Sequence, residues 1–90
     1  MNLREKMDKI ERLRREVIQL EGEIIKIKSV MQEAANKVSV RTSSGFIELD
    51  AVDQDTLQKT TLKILQARSD DVENDIRDKL FEVSELLSPK

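Results

Sequence analysis

The sequence contains no histidine, cysteine, tyrosine or tryptophan, and it has only two glycines, one proline and two phenylalanines among 90 residues. Without cysteine the chain has neither a disulfide framework nor a thiolate metal site. Catalysis would have to use carboxylates, lysine or hydroxyl groups, and none of these stands in a recognisable activating context. The sequence therefore predicts a protein that is not an enzyme and that uses no cofactor.

Long apolar runs are also absent. No apolar stretch exceeds two residues, and the first sixteen residues are mostly charged. This pattern predicts neither a signal peptide nor a membrane span, and together with the lack of cysteine it suits the cytoplasm.

Composition instead favours long helices. Apolar and charged residues each make up 38% of the chain, a balance typical of coiled coils. A chain this short forms one domain, residues 1–90, and buries only about 60–65% of its unfolded surface, so a partner chain would add stability. We expect a mainly α protein that assembles into a homo-oligomer.

Apolar residues recur at a heptad spacing in the first part of the chain. One seam position holds Leu3, Ile10, Val17, Ile24, Met31 and Val38, and the other holds Leu13, Leu20, Ile27 and Ala34. Only Lys6, with Met7 beside it, breaks this register. The seam predicts a coiled-coil helix from about residue 3 to 36. Its residue types also suit parallel dimers, so the seam alone leaves open whether the partner helix is in this chain or another.

Ile18 and Ile25 lie beside this seam and widen it. They are either flank residues of a two-helix pair or contacts to further helices. A three- or four-helix environment, and hence an oligomer interface at these two residues, is the favoured interpretation.

A second helix is predicted from about residue 51 to 87, capped by Asp50 and ended by Ser88 and Pro89. Its apolar face follows a spacing of about 3.7 residues, which suits a nearly straight helix. The residues of that face are Leu57, Thr61, Leu65, Ser69, Val72, Ile76, Leu80, Val83 and Leu87. A new helix start at Ser69 or Asp70 is the alternative.

The distribution of charge predicts how the helices pair. Residues 4–15 hold six basic and three acidic side chains, a net +3, whereas residues 70–85 hold seven acidic and two basic, a net −5. An antiparallel helical hairpin brings these segments together, while parallel first helices of two chains would place +3 beside +3. The pattern favours the antiparallel pair within one chain.

Between the helices, residues 38–49 read as a β-hairpin. A turn centred on Ser44 and Gly45 would pair Val40 with Leu49 and place Arg41 opposite Glu48. A four-residue loop from Thr42 to Gly45 would instead pair Val40 with Ile47 and Val38 with Leu49. Either register leaves an apolar face, and Ile47 and Leu49 are its expected interface residues because a lone hairpin is marginal.

The order helix, β-hairpin, helix resembles the architecture of prefoldin subunits, whose hairpins assemble into a shared barrel above paired helices. The likeness is topological, since the helices here are shorter and no sequence motif of that family is present. It implies assembly through the hairpins.

Two classes of ligand fit the sequence poorly. Asp71, Asp75 and Asp78 share one helical face, but a solvated acidic face explains them better than a metal site. A short basic patch is formed by Arg12, Arg14 and Arg15, yet the net charge of −2 argues against nucleic-acid binding.

The leading hypothesis is a non-enzymatic helical interaction module, of the adaptor, inhibitor or holdase type, whose partners are copies of itself and another protein. The alternative is an oligomeric protein that sequesters an anionic small molecule, such as a nucleotide signal; a small inert chain of this kind would suit a phage protein. The candidate ligand contacts are Arg41, Thr42, Ser43 and Ser44 beside Gly45, with supplementary charge from Arg12, Arg14, Arg15 and Lys37. Turn chemistry alone explains most of that loop.

Overall fold

A computed structural model of the chain describes residues 2–47 and 49–88, with the backbone alone at Arg41 and Thr42. Helix α1 spans Leu3–Asn36, strand β1 Val40–Thr42, strand β2 Gly45–Ile47 and helix α2 Ala51–Leu87. The molecule measures 62 × 23 × 15 Å, which matches two helices of about 10 Å diameter lying side by side. The predicted mainly helical architecture, with two long helices joined by a short strand segment, is confirmed.

Both helices begin at a side-chain cap. Asn2 accepts a hydrogen bond from the backbone N–H of Glu5 at 2.9 Å, and Asp50 accepts one from Asp53 at 2.9 Å. Each cap satisfies an amide that has no partner within the first turn, and the acidic residue in that turn suits the positive end of the helix dipole. The cap predicted at Asp50 is confirmed.

The two helices pack antiparallel along the predicted seam of α1. The buried apolar residues are Leu13, Val17, Ile27 and Ala34 of α1 and Val72 of α2. Other seam residues of α1 are half-buried, but Leu3 is exposed because α2 ends beside it. The end of the molecule that holds Leu3 and Leu87 is called the open end here, and the opposite end, with residues 38–49, is called the tip.

The predicted inward face of α2 is wrong at its C-terminal end. Leu80 and Leu87 are exposed, whereas Lys79 and Leu86 are half-buried. Most of the buried and half-buried positions of α2 alternate in steps of four and three residues: Gln58, Leu62, Leu65, Ser69, Val72, Ile76, Lys79, Val83 and Leu86. Four further residues are half-buried beside this line: Gln54, Leu57, Thr61 and Glu82. The strict heptad of the line is the pattern of supercoiled helices, so a spacing of about 3.7 drifts off the seam after Ile76.

Helix α2 is continuous through Ser69, so the alternative of a new helix start there is not observed. Ser69 is only 2% exposed and is the most buried residue of α2. A side chain this small at the seam lets the two backbones approach closely, which a leucine at the same position would prevent.

Two glutamines of α2 hydrogen-bond to the backbone where α1 leads into the tip. The Gln54 amide donates to the carbonyl oxygen of Val38 at 2.6 Å and accepts from the Val38 N–H at 2.5 Å. Gln58 donates to the carbonyl oxygen of Ala35 at 3.2 Å. The last carbonyls of a helix have no partner within it, so Gln58 supplies one for Ala35, while Gln54 bonds to the backbone just beyond α1.

The hairpin has the Val40–Ile47 pairing of the second predicted register, but its loop has two residues and not the predicted four. Val40 pairs with Ile47, Arg41 with Phe46 and Thr42 with Gly45, which leaves Ser43 and Ser44 as a two-residue turn. The predicted placement of Arg41 opposite Glu48 involves a residue outside the described part of the chain. Neither serine has a positive φ, and Gly45 takes the left-handed backbone with a φ of 139°.

Candidate interaction surfaces

One edge of the helix pair carries salt bridges between α1 and α2. Lys9 Nζ lies 2.9 Å from Glu82 Oε1, and Lys79 Nζ lies 3.1 Å from Glu16 Oε2 and 3.7 Å from Asp75 Oδ1. These five residues define the ion-paired edge. The bridge from Lys9 to Glu82 has the predicted signs, basic on α1 and acidic on α2. The bridge from Glu16 to Lys79 has the reverse signs.

These contacts move two pKa values. The hydrogen bond from Lys9, followed by the charge of Lys9, lowers the pKa of Glu82. The hydrogen bond to Glu16 is the main cause that raises the pKa of Lys79. Both shifts favour the charged forms of the paired groups, although surface pairs of this kind add little to stability.

A shallow groove of about 300 Å³ continues along the same side of the molecule. Its apolar residues are Ile27, Val30 and Leu65, and charged side chains from both helices complete its lining: Glu23, Lys26 and Arg68. The groove is open to solvent, and charges of both signs surround it. It provides no concentrated field of one sign for a small ionic ligand.

The opposite side of α1 carries exposed apolar residues that α2 does not cover. Ile18 is 60% exposed and Ile25 is 70% exposed, and Met7 is exposed as well. Ile18 follows Lys9 by nine residues, which is about 2.5 helical turns, so it points away from the ion-paired edge. Gly22 lies between the two isoleucines, and a Cβ built on it meets nothing within 4 Å.

These residues belong to a continuous second stripe on α1, called the outer stripe. Its members recur every three or four residues: Met7, Glu11, Arg14, Ile18, Gly22, Ile25, Ser29, Gln32 and Asn36. All of them are exposed. The sequence signal for this surface is the widening of the heptad at Ile18 and Ile25, whereas Met7 gives no such signal because it stands beside the break at Lys6.

Apolar side chains are also exposed at both ends of the molecule. The open end presents Leu3, Leu80, Phe81 and Leu87. The tip presents Val40, Phe46 and Ile47, of which Ile47 is 67% exposed, while Leu49 is half-buried. Of the predicted interface residues, Ile18, Ile25 and Ile47 are thus exposed, and Leu49 is partly covered within the chain.

The candidate ligand loop lies at the tip. Ser43 and Ser44 are exposed, and a depression of about 190 Å³ is lined by Val40, Ser44, Gly45, Phe46 and Ile47. The side chains of Arg41 and Thr42 lie outside the described part of the structure. Lys37 is exposed at the end of α1, close to this loop in sequence.

The supplementary arginines are far from that loop within one chain. Arg12, Arg14 and Arg15 are exposed near the open end, and Arg15 donates weakly to the Glu11 carbonyl oxygen at 3.5 Å. At a rise of 1.5 Å per residue, the helix separates Arg15 from Asn36 by about 30 Å. Only a second copy could bring these arginines to the tip loop.

Two other kinds of feature are absent from the described residues. No group of three or more His, Cys, Asp or Glu side chains there is placed to hold a metal ion, and neither described helix is long and apolar enough to cross a membrane. No family model, curated protein or solved structure matches the chain.

Proposed function

We propose that this protein is a non-enzymatic protein-interaction module that works as a homo-oligomer. The observation that carries the proposal is the exposed pair Ile18 and Ile25, which lies on the side of α1 that α2 leaves uncovered. Adaptors, inhibitors and holdases all need a surface of this kind, because binding is driven by the apolar area removed from water.

The thin core supports the same proposal. Five apolar residues are buried in the described part of the chain, against thirteen large apolar residues that are exposed. Each large apolar side chain moved from water into an interface contributes about 1.5–3 kcal/mol. Association would therefore stabilise this chain by burying apolar side chains that its own fold leaves exposed.

Multi-angle light scattering of the purified protein at micromolar concentration tests the oligomer. We expect a mass that is a multiple of the 10.4 kDa chain. Scattering is required because a molecule 62 Å long and 15 Å thin elutes early from a size-exclusion column even as a monomer. The double variant Ile18→Glu, Ile25→Glu should have the mass of one chain, because four carboxylates would face each other across a contact of two copies.

The matched control is Ile64→Glu, at an isoleucine of α2 that is also exposed. It should keep the mass of the unmodified protein. A well-folded wild-type monomer at micromolar concentration would contradict the homo-oligomer, and circular dichroism of each variant separates loss of association from loss of folding.

A second candidate function is the sequestration of an anionic small molecule at the tip. The observation that favours it is the depression beside Ser44, whose wall includes Phe46, a ring that is 54% exposed and available to stack on a base. Backbone amides of a turn and the guanidinium of Arg41 are the donors that a phosphate would need.

Isothermal titration calorimetry with a panel of mono- and dinucleotides tests this candidate. We expect binding that weakens at least about tenfold in Arg41→Ala and that is unchanged in Arg68→Ala, a control far from the tip. Absence of heat with every nucleotide would refute the candidate. Equal binding by Arg41→Ala would move the site away from this loop.

A further inference from the structure

We propose that two copies pair through the outer stripe of α1, with their α1 helices antiparallel about a two-fold axis beside Gly22. The proposal rests on the homo-oligomer proposed above and specifies its geometry. Three separate features of the described surface lead to it: the symmetry of the stripe, the distribution of its charges, and the exposed apolar residues at the two ends.

The centre of the stripe is self-complementary. Ile18 and Ile25 lie on either side of a midpoint between Glu21 and Gly22. A two-fold axis through that midpoint places Ile18 against the partner's Ile25 and Ile25 against the partner's Ile18, as an isologous contact requires. Gly22 then lies where the two helices come closest, and it presents no side chain there.

The charges of the stripe select the antiparallel orientation. Its N-terminal half carries Glu11 and Arg14, whereas its C-terminal half carries the uncharged Ser29, Gln32 and Asn36. An antiparallel contact sets each charged residue opposite a neutral polar one that can hydrogen-bond with it. A parallel contact would set each charge against the same charge of the partner, which is unfavourable.

The same two-fold axis also relates the two ends of the molecule. Leu3 lies about 28 Å from the midpoint along α1, and Val40 of the tip stands an equal number of residues on the other side. Antiparallel pairing therefore brings the tip of each copy level with the open end of the other. Ile47, which pairs with Val40 and is exposed, comes level with the partner's Leu3, which is also exposed.

Engineered cysteines test the orientation, since the chain has no thiol of its own. Glu11 and Gln32 lie at equal distances from the proposed axis. A mixture of the Glu11→Cys and Gln32→Cys proteins should form a disulfide-linked heterodimer under mild oxidation, while each protein alone should remain unlinked. The Cα atoms of a disulfide must lie within about 7 Å, so the pairing reports register directly.

The outcomes separate this proposal from the homo-oligomer itself. Cross-linking of Gln32→Cys with itself would overturn the antiparallel geometry and establish a parallel one. An oligomer by light scattering that gives no heterodimer in the mixture would overturn the outer stripe as the contact and leave the homo-oligomer standing. A monomer in every experiment would overturn both.

Equilibrium sedimentation measures how much Ile18 contributes to the affinity between the two copies. In the dimer, Ile18→Glu should raise the dissociation constant by about 100-fold, because each copy buries that residue and the two substitutions act together. Ile64→Glu, on α2, should leave the constant within about threefold of the unmodified protein. Equal effects of the two substitutions would overturn the assignment of the contact to α1.

Discussion

At the residue scale, Gln54 determines how the chain leaves α1. Its side-chain amide makes two hydrogen bonds with the backbone of Val38, one as donor and one as acceptor, in a part-buried position. Only an amide offers both groups in this geometry, because a carboxylate accepts but does not donate and an aliphatic chain does neither. Gln54 thus satisfies both the N–H and the carbonyl oxygen of Val38, as a neighbouring β-strand would.

Gln54→Glu should destabilise the protein by about 1–3 kcal/mol at neutral pH, since one carboxylate oxygen would face the Val38 carbonyl oxygen. Protonation of the introduced carboxylate would restore a donor, so the pKa of this new side chain should rise above the ordinary value of about 4.3. The variant should therefore match the wild type below about pH 4 and lose stability as the pH rises through the raised pKa.

Urea unfolding between pH 3 and pH 7, at one protein concentration, measures this difference. Gln19→Glu, an exposed position on α1, is the control and should show little dependence of its deficit on pH. A deficit for Gln54→Glu that is the same at every pH would show that the two hydrogen bonds do not set its stability.

At the scale of the elements, the two glycines have opposite consequences. Gly22 lies inside α1 with open space around its Cβ position, so its cost is the lower helix propensity of glycine. Gly45 begins β2 with a φ of 139°, a backbone conformation in which an L-residue is strained. Gly22 thus weakens α1, whereas Gly45 permits the backbone conformation that the hairpin turn needs.

Gly22→Ala should stabilise the fold by about 1 kcal/mol, while Gly45→Ala should destabilise it by about 1–3 kcal/mol. Thermal unfolding followed by circular dichroism should then show midpoints displaced in opposite directions, by about 4–8 °C per kcal/mol for a domain of this size. Both changes are best measured in the Ile18→Glu, Ile25→Glu background, where the proposed contact at Gly22 is removed. Displacements of equal sign would contradict this account of the two backbones.

At the scale of the whole molecule, ion pairs join the two helices along one edge, and exposed apolar residues lie on the far side of α1. Lys9 and Glu82 join the basic part of α1 to the acidic part of α2 near the open end, whereas Ile18 and Ile25 face solvent on the far side of α1. The ion-paired edge is complete within one chain. The residues of the outer stripe remain exposed within one chain.

The ion-paired edge predicts how stability depends on pH. Because the pKa of Glu82 is lowered by Lys9, its contribution is present above the ordinary glutamate value of about 4.3 and is lost as the pH falls through the lowered pKa. Lys9→Met should therefore be less stable than the wild type at pH 7, and this deficit should shrink towards pH 3.

Denaturant unfolding at pH 7, 5 and 3 provides the measurement. Lys63→Met is the matched control, because it removes one positive charge from an exposed position on α2. Its difference from the wild type should vary little with pH. A deficit of Lys9→Met that persists unchanged at pH 3 would be inconsistent with the ion pair as its source.

Much of this architecture follows from local sequence patterns. The heptad of α1 and the cap at Asp50 could be predicted, because periodicity and capping involve residues close together in the chain. The pairing of Val40 with Ile47 was one of two registers that the sequence left open. The inward turn of Lys79 in place of Leu80 could not be predicted, since it depends on the supercoil that α2 adopts against α1. Nor could the bonds from Gln54 to Val38, which cross sixteen residues of sequence.

Two amphipathic helices, the hairpin between them and the apolar character of Ile18 and Ile25 follow from the sequence alone. Which apolar residues are buried within the chain is known only from the tertiary structure, because burial depends on the relative rotation of two helices and not on the period of either one. That rotation buries Val17 and Val72, turns Lys79 towards Glu16, and leaves the outer stripe of α1 facing solvent.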